Sequence, residues 1–205
     1  MADAGFDWLV VDLEHSATTE RETEEIFRAI ELKGAVPLVR LTSNDAGQIK
    51  RVLDTGAQGI IVPMVKTADD ARRAVAAAHY PPVGKRSFAL SRAQGYGRTF
   101  DAYVRDAKDT TMVIAIIEHV DAVGALEEIL AVDGLDATMI GPYDLSGSLG
   151  KPGRFDDPDV AKLVVAGPVV IQAPRRRGES RWGLRPRAGG TQQGLGQDRR
   201  RARHV

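Results

Sequence analysis

Cysteine is absent from all 205 residues. That excludes a disulfide framework, a thiolate metal site and a cysteine nucleophile, so any metal must be held by oxygen or imidazole. No run of about 18 apolar residues occurs, which excludes a transmembrane helix. The opening residues MADAGFDW carry acids where a signal peptide carries a basic stretch and then an apolar one. A cytoplasmic protein without membrane attachment is the expectation.

Lysine is missing from residues 167 to 205, where 10 arginines meet 2 acids, 7 glycines and 3 prolines. The formal net charge of zero therefore hides two kinds of sequence: residues 1 to 166 hold 18 basic and 26 acidic side chains. The Arg/Gly/Pro-rich end cannot present an apolar helix or strand face and is expected to be disordered. Ten arginines permit a salt-sensitive nucleic-acid arm. Trp182 is the one aromatic there and no nucleic-acid motif is present, so no nucleic-acid partner is expected.

With 43% hydrophobic and 27% charged residues, the rest suffices for one globular core. Near-continuous apolar runs predict strands over Trp8–His15, Val36–Leu41, Gly59–Val65, Met112–Glu118 and Ala137–Gly141. Amphipathic spacing predicts helices over Glu20–Lys33, Ala46–Thr55, Ala68–His79, Phe100–Lys108 and Asp121–Val132. Gly34, Gly56 and Gly134 each precede a strand, where a left-handed residue stops a helix. The alternation calls for a parallel sheet covered by helices. It leaves a closed barrel and an open doubly wound sheet equally allowed.

Polar residues collect where these strands end. Asp12, Glu14 and His15 follow the first, Arg40 the second and Glu118 the fourth, and Asp144 follows the fifth within Gly141-Pro142-Tyr143-Asp144. In parallel α/β folds that end is where active sites are assembled. Taken singly, each is a charged residue where a chain leaves its core; jointly they read as a site. Glu118 and Asp144 suit a hard divalent cation such as Mg²⁺ or Mn²⁺, with Co²⁺ a further candidate. Arg40 suits a developing oxyanion. His15, kept basic by Asp12, suits proton transfer. His79 reads as structural, and His119 should face away from Glu118.

Several ordered motifs carry a resemblance: GFDWLVVDLEHS at 5–16, VPLVRLTSND at 36–45, QIKRVLDTGAQGIIVPMV at 48–65, RAQGYG at 92–97, IEHVDAV at 117–123 and GPYDLSGSLG at 141–150. On these the chain resembles the HpcH/HpaI class II pyruvate aldolases, over residues of about 5 to 160. The resemblance implies a (β/α)₈ TIM barrel of the phosphoenolpyruvate/pyruvate type and metal-dependent retro-aldol cleavage of a 4-hydroxy-2-oxo acid to pyruvate, or an analogue, and an aldehyde. It implies that Glu118 and Asp144 bind the metal, that His15 and Asp12 form an acid/base dyad, and that Arg40 stabilises the enolate. Gly141, Pro142 and Tyr143 would lie beside the substrate. No Schiff-base lysine is implied, and the intact family member is expected to be a homo-oligomer.

The chain also departs from the family pattern. Ile116 stands where many members place a glutamine, and members begin with a further strand and helix before the ADAGFDW segment. After Asp157-Pro158-Asp159-Val160 the family pattern gives way to the arginine-rich end. The expectation is a partial barrel domain at 1–160, with about five of eight strands, and a tail at 161–205 outside the family pattern, of the composition a shifted reading frame in GC-rich DNA would give. A citrate-lyase-β-like acyl-CoA lyase and an inactive fragment are the alternatives.

Overall fold

The structure is a computed structural model, and it describes residues 1–166. Five strands form one sheet: β1 Trp8–Asp12, β2 Val36–Arg40, β3 Gly59–Val62, β4 Met112–Ile117 and β5 Ala137–Ile140. Each pairs in parallel with its successor, in the order β1-β2-β3-β4-β5. Parallel neighbours need a crossover. It is supplied by α1 Glu20–Leu32, α2 Ala46–Asp54, α3 Ala68–Ala78 with α4 Phe100–Thr110, and the short pair α5 Val120–Gly124 and α6 Leu126–Leu130. After β5 come α7 Pro142–Ser148 and α8 Pro158–Ala166. A doubly wound sheet reverses its strand order at a switch point, and this one does not. The winding is that of a TIM barrel.

Local chemistry starts and stops the helices where the strands need them. At α1, Thr19 Oγ1 accepts the Glu22 N–H at 3.3 Å and Glu22 Oε2 accepts the Thr19 N–H at 2.7 Å, a reciprocal cap. Thr67 and Asp70 do the same at α3, and Asp45 caps α2 through the Gln48 N–H at 2.7 Å. All three glycines expected to end helices have positive φ, 75° at Gly34, 114° at Gly56 and 89° at Gly134. Past Gly34, the Ala35 N–H donates back to Ile30 O at 3.3 Å, which closes the last turn of α1.

Alternation along the strands then separates two faces. Val11, Val39, Ile60, Val62, Val113 and Ala115 pack with Phe27, Ile49, Val52, Leu53, Val75 and Ile129 in one apolar core between sheet and helices. The intervening residues face the other side. There Leu38 and Ile61 are buried, whereas Trp8 and Val10 on the edge strand β1 are 45% and 36% exposed.

Two of the differences from the sequence-based elements have a direct physical reason. β1 stops at Asp12 because its carboxylate turns the next amides toward itself. β3 stops at Val62 because Pro63 has no N–H to give and Met64 takes a positive φ of 54°. The single helix expected over Asp121–Val132 is two, divided at Ala125. The boundary placed at residue 160 falls inside α8, and the tail expected to be disordered lies, from residue 167 on, outside the described residues.

Asp136, just before β5, links the amino ends of two strands. Its N–H donates to Val113 O at 2.9 Å and its Oδ2 accepts the Val113 N–H at 2.8 Å. Burial pushes its carboxyl up to about 6, against the pull of that N–H. The folded state therefore keeps the proton up to about pH 6, whereas the unfolded chain releases it near 4. Stability attributable to this group is full below pH 4 and falls as pH rises through 6. Asp136→Asn should raise the melting temperature by a few degrees at pH 7, with the gain shrinking to nothing toward pH 4; a pH-independent difference in thermal melts would contradict this.

Candidate active site

Because every strand runs the same way, the carboxyl ends of β1, β2 and β4 bring their polar residues to one face. Register places Asp12 directly opposite Arg40. Arg40 Nε donates to Asp12 Oδ1 at 2.8 Å, and Arg40 Nη2 donates to Oδ2, a two-point pairing. The guanidinium holds the Asp12 carboxyl down to about 2, although partial burial opposes this. The same pairing pushes the Arg40 guanidinium further above its ordinary range.

Asp12 is thereby committed. Its Oδ1 also accepts the backbone N–H of Glu14 at 2.9 Å and of His15 at 3.3 Å. This corrects the expected dyad, since the carboxylate holds the His15 backbone and not the imidazole. The imidazole is 65% exposed, and its Nε2 lies 3.7 Å from Glu14 Oε2. Glu14 also approaches Arg40, with Oε2 3.4 Å from Nη1.

Glu118 follows β4 and is 5% exposed. Its Oε1 accepts the Met64 N–H at 2.6 Å. Burial pushes its carboxyl above the ordinary range; the Met64 N–H opposes that, the negative charges of Glu14 and Asp144 add to it, and Arg40 subtracts. Met64 itself sits at φ 54°, a left-handed conformation that costs a non-glycine residue about 1–2 kcal/mol. The bond to Glu118 helps hold it there.

Gly141 precedes α7 and leaves room for that carboxylate. A Cβ on Gly141 would stand 2.6 Å from Glu118 Oε2 and 2.8 Å from Glu118 Cβ. Pro142 opens the helix, where its missing N–H costs nothing. Tyr143 is 68% exposed and meets Phe155 edge to face, with centroids 5.0 Å apart. Asp144 lies in the first turn of α7 and is exposed. His119 caps α5 and accepts the Asp121 N–H on its Nδ1 at 3.2 Å, and His79 is buried at the end of α3.

Asp12 pairs with Arg40, and Arg40 and Asp144 each act electrostatically on Glu118, while the His15 imidazole is exposed. Glu14, singled out at the end of the first strand, had been given no role, and Met64 was missed. Glu14 had a signal, since it lies two residues from Asp12 and so on the same side, with Leu13 buried in the core between them. Met64 had none, because its role is played by a backbone N–H.

Among the described residues no three His, Asp or Glu side chains are grouped as a ready-made metal cage. Glu118 and Asp144 offer hard oxygen donors, and Glu118 is buried under the influence of the negative charges of Glu14 and Asp144. Such a pair fits a divalent cation whose other positions are filled by water and substrate oxygens.

Comparison with known proteins gives this geometry its setting. The family model for HpcH/HpaI aldolase/citrate lyase matches residues 1–181. The chain is 44% identical over 162 residues to 2-dehydro-3,6-dideoxy-6-sulfogluconate aldolase of Pseudomonas putida, covering 78% of this chain and 63% of that protein. It is 42% identical over 175 residues to 4-hydroxy-2-oxo-heptane-1,7-dioate aldolase of Salmonella dublin, covering 84% and 66%. The crystal structure of an HpcH/HpaI aldolase from Desulfitobacterium hafniense DCB-2 superposes with a TM-score of 0.75 at 37% identity, over 80% of this chain and 64% of that one. The chain thus spans just under two thirds of the length of these relatives.

Replacing Glu118 by glutamine removes a buried negative charge but keeps an acceptor for Met64. Glu118→Gln should melt several degrees higher than the parent in chelator, each 1 kcal/mol being worth about 2–4 °C at this size. It should also lose the stabilisation that millimolar Mg²⁺ or Mn²⁺ gives the parent in a thermal-shift titration. A parent insensitive to both ions would sink the assignment of Glu118 as a metal ligand.

Proposed function

The chain belongs to the HpcH/HpaI aldolase/citrate lyase family, and from that premise we propose that it acts in metal-dependent retro-aldol cleavage of a 4-hydroxy-2-oxo acid to pyruvate, or an analogue, and an aldehyde. The observation that carries the reading is the meeting of the Asp12–Arg40 pair with the buried Glu118 at the carboxyl ends of the parallel strands β1, β2 and β4. Relatives at 44% and 42% identity bear aldolase names.

In this reading Glu118 and Asp144 hold the cation. When bound, a divalent ion supplies Lewis-acid polarisation of the carboxylate and keto oxygens of the substrate. Arg40, fixed along one edge by Asp12, donates to the substrate's C2 oxygen and stabilises the negative charge that grows there as the C3–C4 bond breaks. His15 takes the proton of the C4 hydroxyl, so that the leaving half departs as an aldehyde, and returns it to C3 of the remaining half to give pyruvate. Gly141, Pro142 and Tyr143 lie beside the substrate, and the missing side chain at 141 leaves its space to the Glu118 carboxylate. Tyr143 and Phe155 form an aromatic pair beside Asp144, a surface suited to the carbon chain of the aldehyde half.

Pyruvate release from a 4-hydroxy-2-oxo acid, coupled to lactate dehydrogenase, tests the reading. Release should require Mg²⁺ or Mn²⁺, cease with chelator, and disappear in Glu118→Ala. Arg40→Ala should lower kcat by about 10²–10³-fold, the loss typical of removing a preorganised oxyanion donor. If 4-hydroxy-2-oxo acids are inert and an acyl-CoA thioester of a 3-hydroxy acid is cleaved instead, the substrate class is that of the citrate-lyase branch.

A further inference from the structure

One carboxylate at the site has no task in the scheme above. Glu14 follows β1 by two residues, with its side chain 17% exposed, and its Oε2 is buried without a hydrogen-bond partner. An acceptor buried without a donor is unfavourable, and native structures keep few of them. Two donors surround this oxygen: Arg40 Nη1 at 3.4 Å and His15 Nε2 at 3.7 Å. Neither distance comes with hydrogen-bond geometry, so both contacts are electrostatic approaches waiting to be tightened.

The other constraints fix where Glu14 can act. Its backbone N–H is held by Asp12 Oδ1 at 2.9 Å, and Leu13 beside it is buried in the core, so the residue cannot swing outward without breaking both. Asp12 occupies Nε and Nη2 of Arg40, which leaves Nη1 as the guanidinium nitrogen facing Glu14. Glu118 is near enough for its charge to act on the guanidinium and to feel that of Glu14. Without Glu14, the free side of Arg40 would be drawn toward Glu118 and into the place of the cation.

We propose that Glu14 is a positioning residue of this site: its carboxylate holds the Nη1 side of Arg40 away from Glu118 and gives the His15 imidazole a carboxylate partner, so that both groups meet the same substrate. The inference rests on the aldolase reading for its chemistry but not for its test. Glu14→Ala removes both contacts, and Glu14→Gln keeps an acceptor for Nη1 while deleting the charge.

The experiment pairs steady-state kinetics with NMR of ¹⁵N-labelled arginine side chains in the full chain. Held on two sides, the Arg40 guanidinium should rotate slowly about its Nε–Cζ bond and give separate Nη signals. Those signals should merge in Glu14→Ala and stay separate in Glu14→Gln. In the same order, kcat should fall by at least about tenfold in Glu14→Ala and be partly restored in Glu14→Gln, with KM changed less than kcat. Should Glu14→Ala fail to fold, Glu14→Gln must still show a lower kcat at unchanged melting temperature. Arg40 signals unaffected by Glu14→Ala, or kcat unaffected by both variants in an active protein, overturn the proposal. If the parent chain releases no pyruvate, the aldolase reading fails by itself, and the Arg40 signals alone decide the role of Glu14.

Discussion

Parallel pairing of consecutive strands is the constraint from which the rest follows. A chain that lays each strand beside the last in the same direction must cross back every time, and a capped helix is the compact way to do it. Thr19, Asp45 and Thr67 start those crossings with side-chain acceptors, and Gly34 and Gly56 end them in left-handed turns. Every carboxyl end then faces one way. Residues as distant in sequence as Asp12 and Arg40, or Met64 and Glu118, meet within hydrogen-bond reach without either loop having to be long.

Charge balance at that face explains why the residues sit at different depths. Arg40 is answered by Asp12 and approached by Glu14, so its charge is spent locally. Glu118 has a single backbone N–H and negative neighbours, so it is held in a protein environment that favours its neutral form. A site that fully neutralised its own charges would have no use for a cation. This one leaves acidic charge uncompensated around Glu118, and Asp144 brings more from the solvent side.

Much of this was legible in the sequence, and the failures are instructive. The five strands were marked by β-branched runs, and each begins where expected, because the runs open without a polar residue to blur the signal. The far end of β1 came out short for the same reason that it is interesting: Asp12 bonds to the backbone of Glu14 and His15 and pulls it out of the ladder. Strand order was not legible, since a repeated helix, glycine and strand fits either winding. α7 was hidden behind Gly141-Pro142, which reads as a turn although proline is well suited to the first position of a helix. The Asp12–His15 pairing was three residues apart on paper, yet in the fold an arginine from the next strand claims the carboxylate first.

The close approach at Gly141 also bears on how such a sequence can change over time. With Glu118 Oε2 standing 2.6 Å from where a Cβ would be, even alanine displaces the carboxylate that the site is built around. Exposed neighbours such as Tyr143 and Phe155 can drift, but position 141 has an alphabet of one letter for as long as Glu118 stays where it is. Divergence of substrate preference on this scaffold must therefore travel through the rim and leave that hydrogen atom alone.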